Sequence, residues 1–110
     1  MPLFAEKSSD GVFAGATPVD VVGVPGAATT RVIRNVSVYN ADTVVHTFTL
    51  LYNNNATLRT LPPFVLQAGE GAEYDTIQVL DATTKKLQGK IEGAHTTTAP
   101  SFVATFGEVT

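Results

Sequence analysis

The 110-residue sequence has no cysteine and no tryptophan. Without thiols it can build neither a disulfide framework nor a thiolate metal site, which suits a chain that folds in a reducing cytosol. Charge is scarce as well: 15% of the residues are Asp, Glu, Lys or Arg, against about 25% in an average soluble domain. Seven basic residues face ten acidic ones, for a formal net charge of -3 and a pI near 5.1. With no basic excess to neutralise phosphates, nucleic acid is not an expected partner, and no polybasic patch offers itself to an anionic membrane. No apolar run approaches the roughly 18 residues of a membrane-spanning helix. The opening Met1-Pro2-Leu3-Phe4-Ala5-Glu6-Lys7 lacks the basic and then apolar regions of a secretion signal, so none is expected.

No stretch of ten residues carries the spacing of an amphipathic helix. What fills the sequence instead is strand grammar, densest between Arg31 and Tyr52. Arg31-Val32-Ile33-Arg34-Asn35-Val36-Ser37-Val38-Tyr39 and Val44-Val45-His46-Thr47-Phe48-Thr49-Leu50-Leu51-Tyr52 are both rich in β-branched and aromatic residues. Asn40-Ala41-Asp42-Thr43 between them is turn chemistry, so the pair predicts a β-hairpin. Phe48, Leu50 and Tyr52 share one face of the second run and Thr47 and Thr49 the other, the period of a strand with one side buried. In the first run Val36 and Val38 agree with each other but Ile33 is out of step. That mismatch points to a β-bulge near Arg34-Asn35, or else to a continuous strand with Arg34 turned outward at an edge.

Residues 1 to 18 show no sustained period. Leu3, Phe4, Val12 and Phe13 are scattered among Ser, Gly, Asp and Pro, which favours an extended arm or a short first strand laid on its own sheet. Val19 to Val24 reads as a strand closed by Pro25-Gly26. Beyond Tyr52, a turn at Asn53-Asn54-Asn55 leads to a strand from Ala56 to Thr60. Pro62-Pro63 then breaks pairing, since neither residue has an amide hydrogen. Phe64 to Leu66, Ala72 to Tyr74, Thr76 to Leu80 and Lys85 to Glu92 follow as strands, with turns at Gln67 to Gly71 and at Asp81 to Thr84. In the last of these Leu87 and Ile91 share a face with Gly89 between them, where a missing side chain allows a neighbouring strand or subunit to come close. Gly93 to Pro100 is a Thr-rich loop, and Ser101 to Phe106 closes the chain with Phe102, Ala104 and Phe106 on one face. Many short strands with Gly, Pro and Asn punctuation predict an all-β protein. The expected fold is a single antiparallel β-sandwich or jelly-roll-like domain of seven to nine strands over residues 19–110, preceded by an extended N-terminal arm over residues 1–18.

Residues that carry chemistry are few. The histidines are His46 and His95. His46 lies mid-strand with Phe48 and reads as a partly buried strand residue, and His95 has no carboxylate beside it in the Thr-rich loop. With no Cys and two His, no metal or other cofactor is expected. Glu70, Glu73 and Asp75 form an acidic cluster without EF-hand spacing, which reads as a solvated turn. Asn35-Val36-Ser37 and Asn55-Ala56-Thr57 match the short N-glycosylation pattern, common by chance. Thr47, Thr49 and Thr96-Thr97-Thr98 lack the regular repeat of an ice-binding ladder, and three Tyr with no Trp make a poor sugar platform. No nucleophile–base pair is readable, so no enzyme is expected.

The order Ile33-Arg34-Asn35-Val36-Ser37-Val38-Tyr39-Asn40, then Thr47 to Leu51, Leu66-Gln67-Ala68-Gly69-Glu70, Ile77-Gln78-Val79-Leu80, Leu87-Gln88-Gly89-Lys90-Ile91 and a last strand ending Phe106-Gly107-Glu108 resembles small β-sandwich structural proteins of tailed-bacteriophage virions. The resemblance covers roughly residues 19 to 110 and implies a virion component, without residue-level binding positions. Together with the small domain, the low charge and the apolar arm, it gives the expectation of a capsid decoration or cement protein. Such a protein would be made in the host bacterial cytoplasm and located in the virion. It would form a homotrimer bound to the major capsid protein or other virion proteins, with Leu3, Phe4 and Phe13 as candidate contacts. A tail, neck or baseplate component is the alternative. From another class, a small-molecule or carbohydrate-binding module would show an aromatic-lined pocket.

Overall fold

Alternation sets the layers of this molecule. In the last strand Phe102, Ala104 and Phe106 are buried while Val103 between them is exposed, and the same period of two runs through most of the chain. The computed structural model describes residues 4–75 and 77–110. Ten strands lie among them: β1 Phe4–Val12, β2 Val19–Val22, β3 Thr30–Tyr39, β4 His46–Asn54, β5 Thr57–Thr60, β6 Phe64–Leu66, β7 Gly71–Tyr74, β8 Gln78–Leu80, β9 Lys85–Ile91 and β10 Ser101–Val109. The described residues contain no helix. One sheet runs β1-β10-β3 and ends on β7 and β8, which pair with different halves of β3. The other runs β2-β9-β4 and ends on β5 and β6, which share β4 in the same way. Splitting the last position of each sheet raises the strand count above the expected seven to nine. In the second sheet the break falls at Pro62-Pro63, where the ladder has no amides to use.

Every pairing is antiparallel, and the pairings are nested: β1 with β10, β2 with β9, β3 with β7 and β8, β4 with β5 and β6. The chain is one long hairpin rolled so that successive arms alternate between two sheets, which is the jelly-roll arrangement. The all-β, antiparallel sandwich expected from the sequence is therefore present.

The hairpin expected at Arg31 to Tyr52 is not. β3 and β4 lie in different sheets, and residues 40–45 cross between them. Each strand is already flanked on both sides by other partners, β3 by β10 and by β7 and β8, β4 by β9 and by β5 and β6, so the two have no free edges to share. They meet instead through their apolar faces, Ile33, Val36 and Val38 on one side of the core and Phe48 and Leu50 on the other. Val44 and Val45, read as strand, belong to this crossing and are exposed. The bulge does form. Thr105 faces Asn35 and Phe106 faces Ile33, so Arg34 is the extra residue, and it brings Ile33 back to the buried face shared by Val36 and Val38.

The segment read as an arm belongs to the sandwich over its described length. β1 pairs with β10 along all nine of its residues, and Phe13, just beyond it, is 0% exposed. The Phe13 ring packs against Phe48 at 5.4 Å and Phe102 at 5.3 Å between centroids. Burying a phenylalanine contributes on the order of 2–3 kcal/mol, which outweighs holding it out for a neighbour. Gly89 makes the space. A Cβ placed there would lie 2.6 Å from Phe13 Cε1 and 3.2 Å from both Leu50 Cδ2 and Val21 Cγ2. The close approach anticipated at Gly89 is thus made by the chain's own Phe13. At the far end of the sandwich Arg31 closes the gap: its guanidinium lies 5.0 Å from the Phe106 ring centre, with Nε 2.9 Å from Glu108 Oε2 and Nη1 donating to the Gly23 carbonyl.

Candidate functional site

Four connections cross between the sheets at one end of the sandwich: residues 13–18, 40–45, 67–70 and 92–100. Crossing segments have no ladder of their own, so their polar groups need other partners. A cluster of buried polar side chains supplies them. Asn40, Asp42 and His46 are the buried polar or charged residues among those described. The Asn40 backbone N–H donates to the Glu70 carbonyl and its carbonyl accepts from Gly69. Its side-chain amide donates to the carbonyls of Val44 and Leu66, each at 2.9 Å, and its Oδ1 accepts the Asp42 N–H. Asn40 therefore ties the 40–45 and 67–70 crossings together.

Asp42 does the same for the 92–100 crossing. Oδ1 accepts the backbone N–H groups of Thr43, Thr97 and Thr98 at 2.8, 2.8 and 3.3 Å. Oδ2 accepts Thr96 N–H at 2.7 Å and lies 2.6 Å from His46 Nε2. The other ring nitrogen, Nδ1, lies 2.9 Å from Glu92 Oε2 and 3.0 Å from Oε1, and Oε1 also accepts Thr47 N–H at 2.8 Å. An imidazole with a carboxylate at each nitrogen is satisfied only when both nitrogens carry hydrogen, so His46 is the imidazolium here. Burial works against the charge on His46, but the hydrogen bonds from its ring to Asp42 and Glu92 outweigh it and raise its pKa above the usual 6.5. Burial alone would likewise raise Asp42, yet the His46 ring and the amides of Thr96, Thr97 and Thr43 hold that carboxyl far below the ordinary range. Burial alone would raise Glu92, half-exposed, but the His46 ring and the Thr47 amide together lower it. No buried side-chain polar atom is left without a partner among the described residues.

This geometry holds loops rather than activating a nucleophile, because both His46 nitrogens are engaged by carboxylates. His46 lies between the two acids, so the three do not converge on a point, and the described residues contain no group of three or more His, Cys, Asp or Glu able to hold a metal. His46 is a strand residue, as read from the sequence, but it opens β4 instead of lying mid-strand and is buried instead of partly buried. Asn40 and Asp42 were legible only as turn residues, and Glu92 gave no signal, being 46 positions from its partner. His95 is exposed in the Thr-rich loop. The acidic cluster does not come together as one site: Glu70 accepts Gln67 N–H to close its turn, while Glu73 accepts the Ser37 hydroxyl.

The second candidate feature is the outer face of the first sheet. Register places Val12, Ser101, Tyr39 and Gly71 in one row across it and Asp10, Val103, Ser37 and Glu73 in the next. Val12, Tyr39 and Val103 are about half exposed, at 55%, 49% and 49%. Gly71, lacking a side chain, leaves the floor of an open depression of about 410 Å³ beside Tyr39 and Val103. Around the β7 edge, Pro62, Pro63, Phe64 and Tyr74 line a groove of about 290 Å³. Val79 and Ile77 expose further apolar surface near the other end of the face, with a Glu6–Arg34 ion pair at 3.3 Å between.

Of the contacts expected from the sequence, Leu3 lies outside the described residues, and Phe4 opens β1 with its backbone opposite Val109. Phe13 is enclosed in the chain's own core and offers no side-chain surface to a neighbour; the apolar surface that is offered, around Tyr39, was not singled out.

No family model matches the chain, and no curated protein matches it in sequence. Among solved structures it is similar to a protein of Bacillus endospore appendages, described as a family of disulfide-linked pili, with 12% identity over 98% of this chain and 86% of that one and a TM-score of 0.55. Weaker similarities are to infectious bursal disease virus of the Gx strain (8% identity, 99% of this chain, 31% of that one, TM-score 0.39) and of the Gt strain (7%, 98%, 33%, 0.35). The chain spans about a third of those viral chains, and at these scores they carry no structural argument. What the comparisons establish is the fold, an all-β sandwich shared over nearly the whole chain with the appendage protein.

Proposed function

We propose that this protein is a structural subunit of a larger protein assembly, and specifically a decoration or cement protein on the outer surface of a tailed-bacteriophage capsid. The observation that carries the reading is the outer face around Val12, Tyr39 and Val103, which presents half-exposed apolar side chains in adjacent rows of the sheet. Such a face gains by being covered. A standard contact buries about 800 Å² on each partner, roughly a seventh of the 5814 Å² surface of this chain. The partner is the major capsid protein or another virion protein, and the subunits form a homotrimer with Leu3 and Phe4 among its contacts. Binding the assembled shell and not its separate subunits would stabilise the shell by mass action.

The similarity to a pilus protein supports an assembly role through the shared fold. The present sequence has no cysteine, so association here rests on buried surface rather than on disulfide links. A tail, neck or baseplate position is the variant of the same reading. The groove lined by Pro62, Pro63, Phe64 and Tyr74 favours one reading from another class, a module for a small apolar ligand or a sugar. Light scattering coupled to size exclusion, followed by co-sedimentation with virions, tests the proposal. A trimer that co-sediments at fixed stoichiometry supports it. A monomer that stays in the supernatant and binds a small ligand in the groove overturns it.

A further inference from the structure

We propose that Asp42, His46 and Glu92 form a proton-operated clasp, closed while His46 is the imidazolium and opened on its Glu92 side when His46 gives up one proton. The inference is independent of the assembly role. It starts from the asymmetry of the two acids. The Asp42 side chain is fully enclosed, lies 2.6 Å from Nε2 and accepts backbone amides from Thr43, Thr96, Thr97 and Thr98. Glu92 has 47% of its side chain exposed and, besides the ring, takes the amide of Thr47. A neutral imidazole has one N–H and one lone pair. The proton that stays is the one facing the acid that cannot leave, so Nε2–H remains on Asp42 and Nδ1 becomes the lone pair. A carboxylate 2.9 Å from that lone pair is repelled, and Glu92 can turn into water at little cost.

The charged groups facing His46 are few. The 40–45 crossing contributes Asp42 and the residue after β9 contributes Glu92; β6 places Leu66 opposite, and β4 itself sets Phe48 edge-on with ring centres 6.4 Å apart. The direction in pH follows from the raised His46 pKa. The clasp contributes its full stability below the ordinary histidine value of 6.5 and loses it as pH rises through the raised one. On the acid side the contribution of the lowered carboxyls of Asp42 and Glu92 is full above their ordinary values of 3.8 and 4.5 and is lost as pH falls through the lowered ones. The loop end of the sandwich therefore has two states, tied at both acids below the raised His46 pKa and released at its Glu92 corner above it, beside the exposed Val44 and Val45.

Nitrogen-15 NMR of the intact protein across pH 5 to about 10, with amide exchange read in parallel, tests this. The expected result has three parts. His46 Nδ1 titrates above the usual histidine range while Nε2 stays protonated. Thr47 amide exchange accelerates about tenfold or more across that transition beyond the intrinsic pH effect. Thr96, Thr97 and Thr98 keep their protection. The Glu92→Gln variant, which preserves an acceptor but removes the charge, moves the midpoint down. Titration of His46 at or below the usual value, loss of the Nε2 proton first, or simultaneous loss of protection at Thr47 and Thr96 to Thr98 would each overturn the clasp.

Discussion

Gly89 and Phe13 show how one missing side chain sets the size of a core. The Phe13 ring occupies the volume that any Cβ at position 89 would need, with Leu50 and Val21 closing the sides. Gly89→Ala is expected to destabilise the protein by about 1–3 kcal/mol through overpacking. A smaller ring-free residue at position 13 should recover part of that loss, because the two sites share one space. Urea unfolding of Gly89→Ala, Phe13→Leu and the double variant measures both effects; independent, additive losses would remove the explanation. At this scale the sequence was partly legible. A glycine between Leu87 and Ile91 on a buried face signals a close approach, but nothing local says whose ring arrives. His46 is the same kind of case: the Phe48 face marks it as buried, while its partners Asp42 and Glu92 become visible only when two crossings meet.

Among the elements, the turn joining β4 to β5 stands under backbone strain. Asn55 and Ala56 have φ of 52° and 69°, the left-handed pair of a type I′ hairpin, which favours Asn followed by Gly. Ala56→Gly is expected to raise stability by about 0.5–1 kcal/mol, since a left-handed alanine costs about 1–2 kcal/mol and glycine returns some of that as lost chain entropy. Thermal melts of the single variant check the sign; a lower Tm would mean that the turn is held by Asn53 and Thr84 contacts regardless of its backbone. Strand positions were readable because period-two burial is local: β4, β9 and β10 fall where the alternation puts them. The Arg34 bulge was readable for the same reason, as a break in that period. Strand partnership was not. Asn40 to Thr43 serves a tight hairpin or a sheet crossing equally well, and the choice is made by β10 and β9, which arrive from the other end of the chain. After β2 the φ > 0 residue is Ala28, where the Thr29 N–H donates to the Gly26 carbonyl.

For the molecule as a whole, the outer face of the first sheet separates folding from association. Tyr39 and Val103 point away from the core, so replacing both with lysine should leave stability within about 0.5 kcal/mol. The same change should weaken self-association or shell binding by a factor of about ten or more, because a charge must then be desolvated at the contact. Equilibrium unfolding and sedimentation on one sample read both quantities; unchanged association would move the interface elsewhere. The nested pairing has a consequence in time. Among the described strands β1 is made first and its ladder partner, β10, last. During translation residues 4–12 wait without a sheet until residues 101–109 have left the ribosome, and β3 waits with them for the same partner. The sandwich therefore closes only once β10 has emerged, and a chain cut short before β10 has two unpaired edges instead of a slightly smaller domain.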